Sequence, residues 1–303
     1  MKILITTSSF GKAISAPFDL VKSKCDVILN PYGRKITTEE FIELSEGVDG
    51  VIAGVEKITR EALEKRPNIK VISRCGVGMD SVDQQACTDL GVKLFNTPNA
   101  PVDSVAELTV TVMLSLLKNV PNMDAGIKKG QWNKLTGCML GGKKIGIIGM
   151  GRIGSKVAKL LEGFGVEIAY SDLNDFNNGY SYMSKEELIK WSDVLTIHTS
   201  SCEEGKYIIG QDELEIMKTS TYIVNTSRGR FIDEDALYNA LKNKKIAGAA
   251  LDVFADEPYV GPLSQLDNVI LTPHISSSAK EGRAKMEMEA AINLLDGLGI
   301  GHD

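Results

Sequence analysis

The sequence contains no apolar run long enough to span a membrane and no long run of basic residues. Its net charge is −6 over 303 residues, which argues against nucleic acid or an anionic membrane surface as the main partner. The N-terminal segment MKILITTSSF has too short an apolar part for a signal peptide, and we expect it to form the first β-strand. These absences predict a protein with neither a nucleic acid nor a membrane partner.

Cysteine and histidine are both scarce. The chain has 5 cysteines, an odd number, and their spacing matches no metal-binding or redox motif. Free thiols are the simplest account, so we predict a cytoplasmic protein without a metal. Of the 3 histidines, His302 is so close to the C-terminus that it is not expected in a functional site. His198 and His274 are therefore the candidates for proton transfer near neutral pH.

Short apolar segments alternate with amphipathic helical segments, which is the pattern of parallel sheets built from α/β units. With 43% hydrophobic and 24% charged residues, a chain of 303 residues is expected to form two globular domains. The strands predicted in the first half are Ile3–Thr6, Asp26–Leu29, Val51–Ala53, Val71–Ser73 and Lys93–Phe95. Those predicted in the second half are Lys144–Ile148, Glu167–Tyr170, Val194–Ile197, Tyr222–Asn225, Ala249–Val253 and Val269–Leu271.

A long helix, Val102–Lys118, is predicted to join the two halves. Pro98 and Pro101 disfavour helix before it, and Pro121 is expected to end the helical region that follows. The last predicted helix, Ala279–Leu295, has no further strand to lead into. We therefore expect this helix to fold back on the first domain.

The most informative segment is LGGKKIGIIGMGRIG, from Leu140 to Gly154. A predicted strand runs directly into a G-x-G-x-x-G turn, and an amphipathic helical pattern follows. Gly149 permits a tight turn, Gly151 allows the backbone to approach a pyrophosphate, and Gly154 allows close packing of helix on strand. The free N–H groups and positive dipole end of the helix favour phosphate binding.

Asp172 lies 18 residues beyond Gly154, at the end of the next predicted strand. A carboxylate at this position can accept hydrogen bonds from the ribose hydroxyls of a dinucleotide, and its charge repels a 2′-phosphate. The arrangement therefore favours NAD over NADP. The alternative is an ordinary βαβ crossover with a glycine-containing turn and no ligand.

We predict an α/β fold of two doubly wound parallel-sheet, Rossmann-like domains with a cleft between them. The predicted substrate-binding domain comprises residues 1–98 and 277–303, and residues 99–276 form the dinucleotide-binding domain. Only the second domain carries the glycine fingerprint. A cleft between domains is the usual place for a ligand.

Four polar residues lie at or beyond the carboxyl ends of predicted strands in the second half: Arg228, Asp252, Glu257 and His274. Ligands bind at the carboxyl ends of strands in open α/β sheets. His274 can transfer a proton, Glu257 can orient its ring, and the Arg228 guanidinium can bind a carboxylate in a two-pronged manner. Spacing alone also allows a surface arginine, a loop glutamate and a capping histidine. His198 is interpreted as a structural histidine, with a place lining the cofactor cleft as the alternative.

Six segments make the chain resemble the D-isomer-specific 2-hydroxyacid dehydrogenases, the family that includes D-3-phosphoglycerate dehydrogenase. They occur in the family's order over nearly the whole chain: SRCGVGMDSVD, NTPNAPVDSVAEL, LGGKKIGIIGMGRIG, NTSRGRFIDEDAL, LDVFADEP and LTPHIS. The resemblance implies an NAD-dependent oxidoreductase that transfers hydride between nicotinamide and a D-2-hydroxy acid or 2-keto acid, with 3-phosphoglycerate among the candidate substrates.

The resemblance also implies roles for particular residues. Arg228 binds the substrate carboxylate and polarises the carbonyl, His274 exchanges a proton with the carbonyl oxygen, and Glu257 orients His274. Backbone N–H groups of Gly76, Val77 and Gly78 bind the substrate carboxylate. The residues implied to contact the cofactor are Gly149, Gly151, Arg152, Ile153, Gly154, Asp172, Thr226 and Asp252. Family members are usually homodimers joined through the cofactor domain, so a homodimer is expected.

Two departures from the family pattern concern the substrate. Many relatives have Asn where this chain has Pro101, and Ala53 occupies the position of an arginine found in several phosphoglycerate dehydrogenases. Arg74, beside the Gly76–Gly78 segment, is the nearest candidate to replace that arginine.

Two alternatives remain. A formate dehydrogenase of the same superfamily is disfavoured because it carries glutamine at the position of Glu257. An NAD-sensing interaction protein of the corepressor type keeps the same fold and triad.

Overall fold

The computed structural model describes residues 1–203 and 205–301, so His302 lies outside the described residues. The chain divides into two compact units: Met1–Val102 with Ser277–Asp303, and Asp103–Ser276. In this division the first boundary coincides with the start of a long helix at residue 102. None of the described helices combines the length and the apolar character needed to cross a membrane.

The first unit contains a parallel sheet of five strands. These are β1 (Lys2–Ile5), β2 (Asp26–Leu29), β3 (Gly50–Ala53), β4 (Val71–Arg74) and β5 (Lys93–Phe95). Their order in the sheet is β2-β1-β3-β4-β5. The chain leaves β1 towards one edge and β3 towards the other, so the carboxyl ends of β1 and β3 form a topological switch point, where open α/β sheets bind ligands.

Four helices connect these strands: α1 (Ala16–Lys24), α2 (Thr38–Leu44), α3 (Arg60–Glu64) and α4 (Gln84–Asp89). Side chains cap three of them, because Thr37, Thr59 and Asp83 accept hydrogen bonds from the third residue of the helix that follows. Thr37 also forms a capping box with Glu40. These local signals determine where the three helices begin.

The second unit contains seven parallel strands. They are β6 (Lys144–Ile148), β7 (Glu167–Ser171), β8 (Ser181–Tyr182), β9 (Val194–Ile197), β10 (Tyr222–Asn225), β11 (Gly248–Leu251) and β12 (Val269–Leu271). The order β12-β11-β10-β9-β6-β7-β8 is that of a doubly wound dinucleotide-binding sheet, with its switch point between β6 and β9. The prediction of two doubly wound parallel sheets is therefore confirmed.

Six helices accompany the second sheet: α5 (Val102–Leu117), α6 (Val120–Lys128), α7 (Arg152–Leu161), α8 (Lys185–Trp191), α9 (Gln211–Ile216) and α10 (Glu234–Lys242). The helices cover both faces of the sheet and bury two apolar clusters. One cluster includes Met113, Ile147 and Leu161, and the other includes Leu195, Ile223 and Leu237.

The expectation for Pro121 is wrong. The residue lies in the first turn of α6, where a missing backbone N–H costs nothing because that group has no helical partner. What ends α5 is Asn119, whose φ of 54° is left-handed and separates the two helices.

The last helix, α11 (Lys280–Leu298), belongs to the first unit. It buries Met286, Ala290 and Leu294 against a cluster that includes Ile3 and Ile52 of the first sheet. The helix therefore folds back on the first domain, as expected, and closes one face of its sheet.

Candidate active site and cofactor-binding site

The glycine fingerprint forms the turn between β6 and α7. Gly149 has a φ of +91°, and a Cβ there would lie 2.5 Å from the backbone nitrogen of Thr199. A Cβ at Gly154 would lie 2.0 Å from the carbonyl oxygen of Gly149. Both positions require glycine for the turn itself, as the strand–turn–helix interpretation predicts.

Gly151 differs from the other two glycines, because a Cβ at this position would meet no described atom within 4 Å. Internal packing therefore gives no reason for glycine there. Gly151 is also the residue that precedes α7, and it has no side chain to cap the helix N–H groups. A dinucleotide pyrophosphate fits such a site, since it needs close backbone approach and N–H donors.

Asp172 directly follows β7 and lies against the fingerprint turn. Its Oδ2 accepts a hydrogen bond from the Met150 backbone N–H at 2.7 Å, and its Oδ1 accepts one from Leu173 at 2.6 Å. Each carboxylate oxygen has a further lone pair for a ribose hydroxyl. The position and charge of Asp172 thus fit the ribose-binding residue of an NAD site.

Arg152 and Ile153, the first two residues of α7, have different surroundings. Arg152 is exposed, while Ile153 packs partly against the apolar cluster beneath the helix. Only the backbone of Ile153 is therefore placed to face a phosphate.

The ring of His198 is buried beside the fingerprint turn. Its Nε2 lies 2.9 Å from the Thr196 hydroxyl, and its Nδ1 has no hydrogen-bond partner among the described residues. Burial lowers the pKa of His198 from 6.5 to about 3, so the ring is neutral at physiological pH. A ring so placed does not act as an acid near neutral pH, which favours the structural interpretation.

His274 and Glu257 form a close pair. Nδ1 of His274 lies 2.8 Å from Oε2 of Glu257, and both side chains are partly exposed. Oε1 of Glu257 accepts a hydrogen bond from the Phe254 backbone N–H at 3.1 Å, which holds the carboxylate in place. With Nδ1 directed at the carboxylate, Nε2 is the ring nitrogen that can face a substrate.

The loop that carries His274 is held by the buried carboxylate of Asp252. Its Oδ1 accepts hydrogen bonds from the Thr272 hydroxyl at 2.6 Å and from Ile275 N–H at 2.9 Å, and Oδ2 accepts one from Ser276 N–H at 2.8 Å. These three bonds give Asp252 a positioning role for the histidine loop. Contact between Asp252 and the nicotinamide stays a prediction.

Arg228 lies in the loop after β10. Its Nη1 donates to the carbonyl of Ser227 at 2.7 Å, and its own carbonyl accepts from the Asn225 amide at 2.9 Å. The adjacent Gly229 packs directly on the backbone of the loop after β11, since a Cβ there would lie 1.8 Å from the carbonyl carbon of Phe254. This packing brings the Arg228 loop against the segment that leads to Glu257.

Thr226 is buried, and its hydroxyl lies 2.9 Å from the hydroxyl of Thr109 on α5. Thr109 donates its single hydroxyl proton to the Val105 carbonyl, so Thr226 is the donor to Thr109. The Thr226 side chain therefore points to α5, and only its backbone remains for a cofactor contact.

Sequence reasoning missed Asn225, the last residue of β10. Its side-chain oxygen accepts bonds from the N–H and hydroxyl of Ser227, and its amide donates to Arg228. Asparagine side chains often stabilise turns by hydrogen bonding to the backbone of the residues that follow. An asparagine at the end of a predicted strand was therefore the sequence signal that could have identified Asn225.

In the first unit, the segment Gly76–Gly78 forms a loop after β4 that hydrogen bonds hold in place. Gly76 has a φ of +148°, and its carbonyl accepts from Thr97 N–H at 3.1 Å. The Val77 carbonyl accepts from the Asn96 side chain at 2.8 Å. The guanidinium of Arg74 occupies the place of a Gly76 Cβ and donates to the Cys75 carbonyl.

A sequence model of the family described as D-isomer specific 2-hydroxyacid dehydrogenase, NAD binding domain, matches residues 110–276. The D-3-phosphoglycerate dehydrogenase of Methanocaldococcus jannaschii is 41% identical over 82% of this chain, but this match spans 49% of that relative, about half its length. The hydroxypyruvate reductase of Thermotoga maritima is 34% identical over 95% of this chain and 98% of its own.

Among solved structures, the TT0316 protein from Thermus thermophilus is similar with a TM-score of 0.92 and 32% identity, covering 99% of this chain and 97% of that one. The fold and the sequence similarity indicate the same family. The chain belongs to the D-isomer-specific 2-hydroxyacid dehydrogenase family and contains its NAD-binding domain.

Proposed function

We propose that this protein is an NAD-dependent dehydrogenase that interconverts a small 2-keto acid and the corresponding D-2-hydroxy acid. The observation that carries the proposal is the pair formed by His274 and Glu257, 2.8 Å apart. The two residues lie on the loops that follow β11 and β12, at the carboxyl end of the same sheet that carries the fingerprint. Bound NADH supplies the hydride in the reductive direction.

The chain's own residues supply the proton and the substrate contacts. His274 delivers a proton from Nε2 to the carbonyl oxygen and recovers it in the oxidative direction. Glu257 accepts the hydrogen bond from Nδ1 and so holds the ring with Nε2 available to the substrate. Arg228 binds the substrate carboxylate through its planar fork of N–H donors. The backbone N–H groups of Val77 and Gly78 are assigned to the substrate carboxylate as well, whereas the N–H of Gly76 already donates to the Arg74 carbonyl at 3.0 Å.

The roles of the two units follow from these residues. We assign the cofactor to Asp103–Ser276, with Gly149, Gly151 and Asp172 as its principal contacts. The first unit is assigned to the substrate.

For the substrate, an unphosphorylated acid is favoured over 3-phosphoglycerate. Ala53 supplies no positive charge at the position where several phosphoglycerate dehydrogenases have arginine. The candidate replacement, Arg74, lies over Gly76 and donates a hydrogen bond to the Cys75 carbonyl. Its guanidinium therefore stabilises the loop, which disfavours a role in binding a phosphate. The long match to a hydroxypyruvate reductase supports the same assignment.

The test is NADH oxidation with a panel of 2-keto acids: glyoxylate, pyruvate, hydroxypyruvate, 3-phosphohydroxypyruvate, and branched and aromatic examples. We expect turnover of at least one unphosphorylated acid, and we expect His274→Ala to lower kcat by at least about 10²-fold. NADH binding, followed by the fluorescence of the nicotinamide, should persist in the variant. No turnover of any acid by the wild-type protein would contradict the proposal.

We also propose that the protein is a cytoplasmic homodimer joined through its second unit. Helix α6 buries none of its residues, and the segment after it exposes large apolar side chains. Trp132 is 80% exposed and Met139 is 73% exposed, which is unfavourable unless another molecule covers them. A second copy of the chain is the simplest partner, and the free thiols are consistent with a reducing compartment.

Light scattering after size-exclusion chromatography tests the dimer. The double variant Trp132→Glu, Met139→Glu should be a monomer, because two charges would be buried without partners. Val260→Glu, which replaces another exposed apolar residue, is the control and should leave the mass unchanged. A monomeric wild-type protein would refute this assignment.

A further inference from the structure

Glu56 is a buried carboxylate that the proposed chemistry does not use. Its exposed fraction is 2%, and it follows β3 closely. The carboxyl ends of β1 and β3 form the switch point of the first sheet, so Glu56 lies where a sheet of this order binds ligands.

The internal contacts of Glu56 involve only one of its two oxygens. Oε1 accepts a hydrogen bond from the Thr6 hydroxyl at 2.5 Å and one from the Gly54 backbone N–H at 3.1 Å. Among the residues that the structure describes, no lysine, arginine or histidine pairs with Glu56, and no donor reaches Oε2. A buried carboxylate without a cation is costly to keep and is a frequent mark of a functional site.

A second polar group converges on the same place. A Cβ built on Gly54 would lie 3.0 Å from Oε2 of Glu56 and 3.3 Å from the hydroxyl oxygen of Thr7. That hydroxyl is buried and has no hydrogen-bond partner among the described residues. Oε2 of Glu56 and the Thr7 hydroxyl thus both face the region around Gly54 with unused hydrogen-bonding capacity. This is expected where a polar group of a ligand forms the missing hydrogen bonds.

The loop assigned to the substrate carboxylate lies at the same edge of the sheet. Strands β3 and β4 are neighbours with Ala53 paired to Arg74, and Cys75 N–H donates to the Ala53 carbonyl at 2.8 Å. Glu56 and Gly76–Gly78 therefore follow adjacent strands. A substrate whose carboxylate is bound by this loop can extend its carbon chain towards Glu56.

We propose that Glu56 determines substrate specificity by accepting a hydrogen bond, through Oε2, from a hydroxyl group on carbon 3 of the 2-keto acid. The proposal rests on the proposed dehydrogenase function and narrows its substrate class to 3-hydroxy-2-keto acids. A carboxylate in this position also repels a phosphate at carbon 3, since two negative groups at short range strongly disfavour each other. Thr7 supplies a second hydroxyl that can bond to the same substrate group.

The test compares substrates that differ only at carbon 3. Hydroxypyruvate carries the hydroxyl, pyruvate lacks it, 3-phosphohydroxypyruvate replaces it with a phosphate ester, and glyoxylate has no carbon 3. In the wild-type protein we expect kcat/KM for hydroxypyruvate to exceed that for pyruvate by at least about tenfold, because an unfilled polar site discriminates against the deoxy substrate. A ratio near one would overturn the proposal without any variant.

Glu56→Gln retains an oxygen for Thr6 and Gly54 but removes the charge and the acceptor at Oε2. We expect the preference for hydroxypyruvate over pyruvate to fall about tenfold and the relative rate with 3-phosphohydroxypyruvate to rise. Glyoxylate turnover should change less than about threefold, because glyoxylate has no group that reaches Glu56. Glu64→Gln, on the exposed surface of α3, is the matched control.

The outcomes separate specificity from structure and from the reaction itself. An equal loss with all four substrates would show that Glu56 only supports the fold and would overturn the proposal. If Glu56→Gln does not fold, Glu56→Asp keeps the charge and shortens the side chain, so it should lose the hydroxypyruvate preference and still exclude the phosphate. Failure of the wild-type protein to turn over glyoxylate and every other acid would instead refute the dehydrogenase function.

Discussion

Nδ1 of His274 lies 2.8 Å from Oε2 of Glu257, and the histidine holds this position with a left-handed backbone φ of 52°. A non-glycine residue in this conformation costs free energy, so the surrounding structure must stabilise it. The Asp252 carboxylate does so through its bonds to the N–H groups of Ile275 and Ser276, immediately after the histidine. His274 is therefore held from two sides, with its ring bonded to the Glu257 carboxylate and its loop bonded to the Asp252 carboxylate.

Glu257→Gln removes the charge beside His274 while preserving shape and an oxygen for Phe254 N–H. We expect kcat for keto acid reduction to fall by about 10- to 100-fold, part of the 10²- to 10⁴-fold that general acid–base catalysis contributes. The dissociation constant of NADH should be unchanged. Steady-state kinetics measures kcat, and a fluorescence titration measures the dissociation constant of NADH. Glu186→Gln, at an exposed position, is the control. A kcat within twofold of wild type would show that Glu257 does not support the histidine.

Gly229→Ala places a methyl group 1.8 Å from the carbonyl carbon of Phe254, so the Arg228 loop must move. We expect a destabilisation of at least about 1–3 kcal/mol, typical of overpacking, together with a large loss of kcat/KM. Gly163→Ala is the matched control, because no described atom lies within 4 Å of its added Cβ. Urea denaturation and steady-state kinetics of the two variants make the comparison. Equal stability of both variants would contradict the role assigned to the packing at Gly229.

Asp172→Asn keeps the size of the side chain and removes the charge that repels a 2′-phosphate. We expect the ratio of kcat/KM with NADH to that with NADPH to fall by about tenfold, which corresponds to about 1.4 kcal/mol. Asp212→Asn, at an exposed position of α9, serves as control. If the wild-type protein already prefers NADPH, the role given to Asp172 is wrong.

The buried His198 predicts loss of stability in mild acid. Burial lowers its pKa to about 3 in the folded protein from 6.5, so the unfolded chain binds a proton more readily between these values. The contribution to stability is fully present above pH 6.5 and decreases as the pH falls from 6.5 towards 3. Melting temperatures from about pH 7 to 5, above the range of most carboxyl groups, measure the effect. His198→Gln should show a shallower pH dependence, and an unchanged dependence would contradict the prediction.

Much of the fold could be predicted because its signals are local. Every strand with a continuous apolar run was found, including Lys144–Ile148 and Val194–Ile197, since a buried parallel strand is apolar on both faces. The two-residue strand Ser181–Tyr182 was missed because it is exposed and too short to show a pattern. Helix α6 was missed because Pro121 was interpreted as a stop, whereas the backbone at Asn119 decides where one helix ends and the next begins.

For the candidate site, residue types and strand-end positions made Arg228, Glu257 and His274 candidates, and the resemblance to the family selected them over the alternatives. The roles of Asp252 and Thr226 could not be obtained in this way. Both side chains are used for hydrogen bonds within the protein, to the histidine loop and to Thr109. A strand end indicates that a residue is near a ligand site but does not show which way its side chain points.

The sequence by itself determined the doubly wound architecture, the glycine fingerprint with Asp172, and the identity of the residues proposed for proton transfer. The architecture and the fingerprint depend on periodicity and on the conformational freedom of glycine, which neighbouring residues reveal. The proton-transfer residues were indicated by the family's motifs in the sequence. The tertiary structure decided the 2.8 Å contact of His274 with Glu257, the neutral state of His198 and the isolation of Glu56 from any cation among the described residues. Such properties arise from burial and from distances between segments remote in the chain, because electrostatic and hydrogen-bond energies depend on the whole local environment.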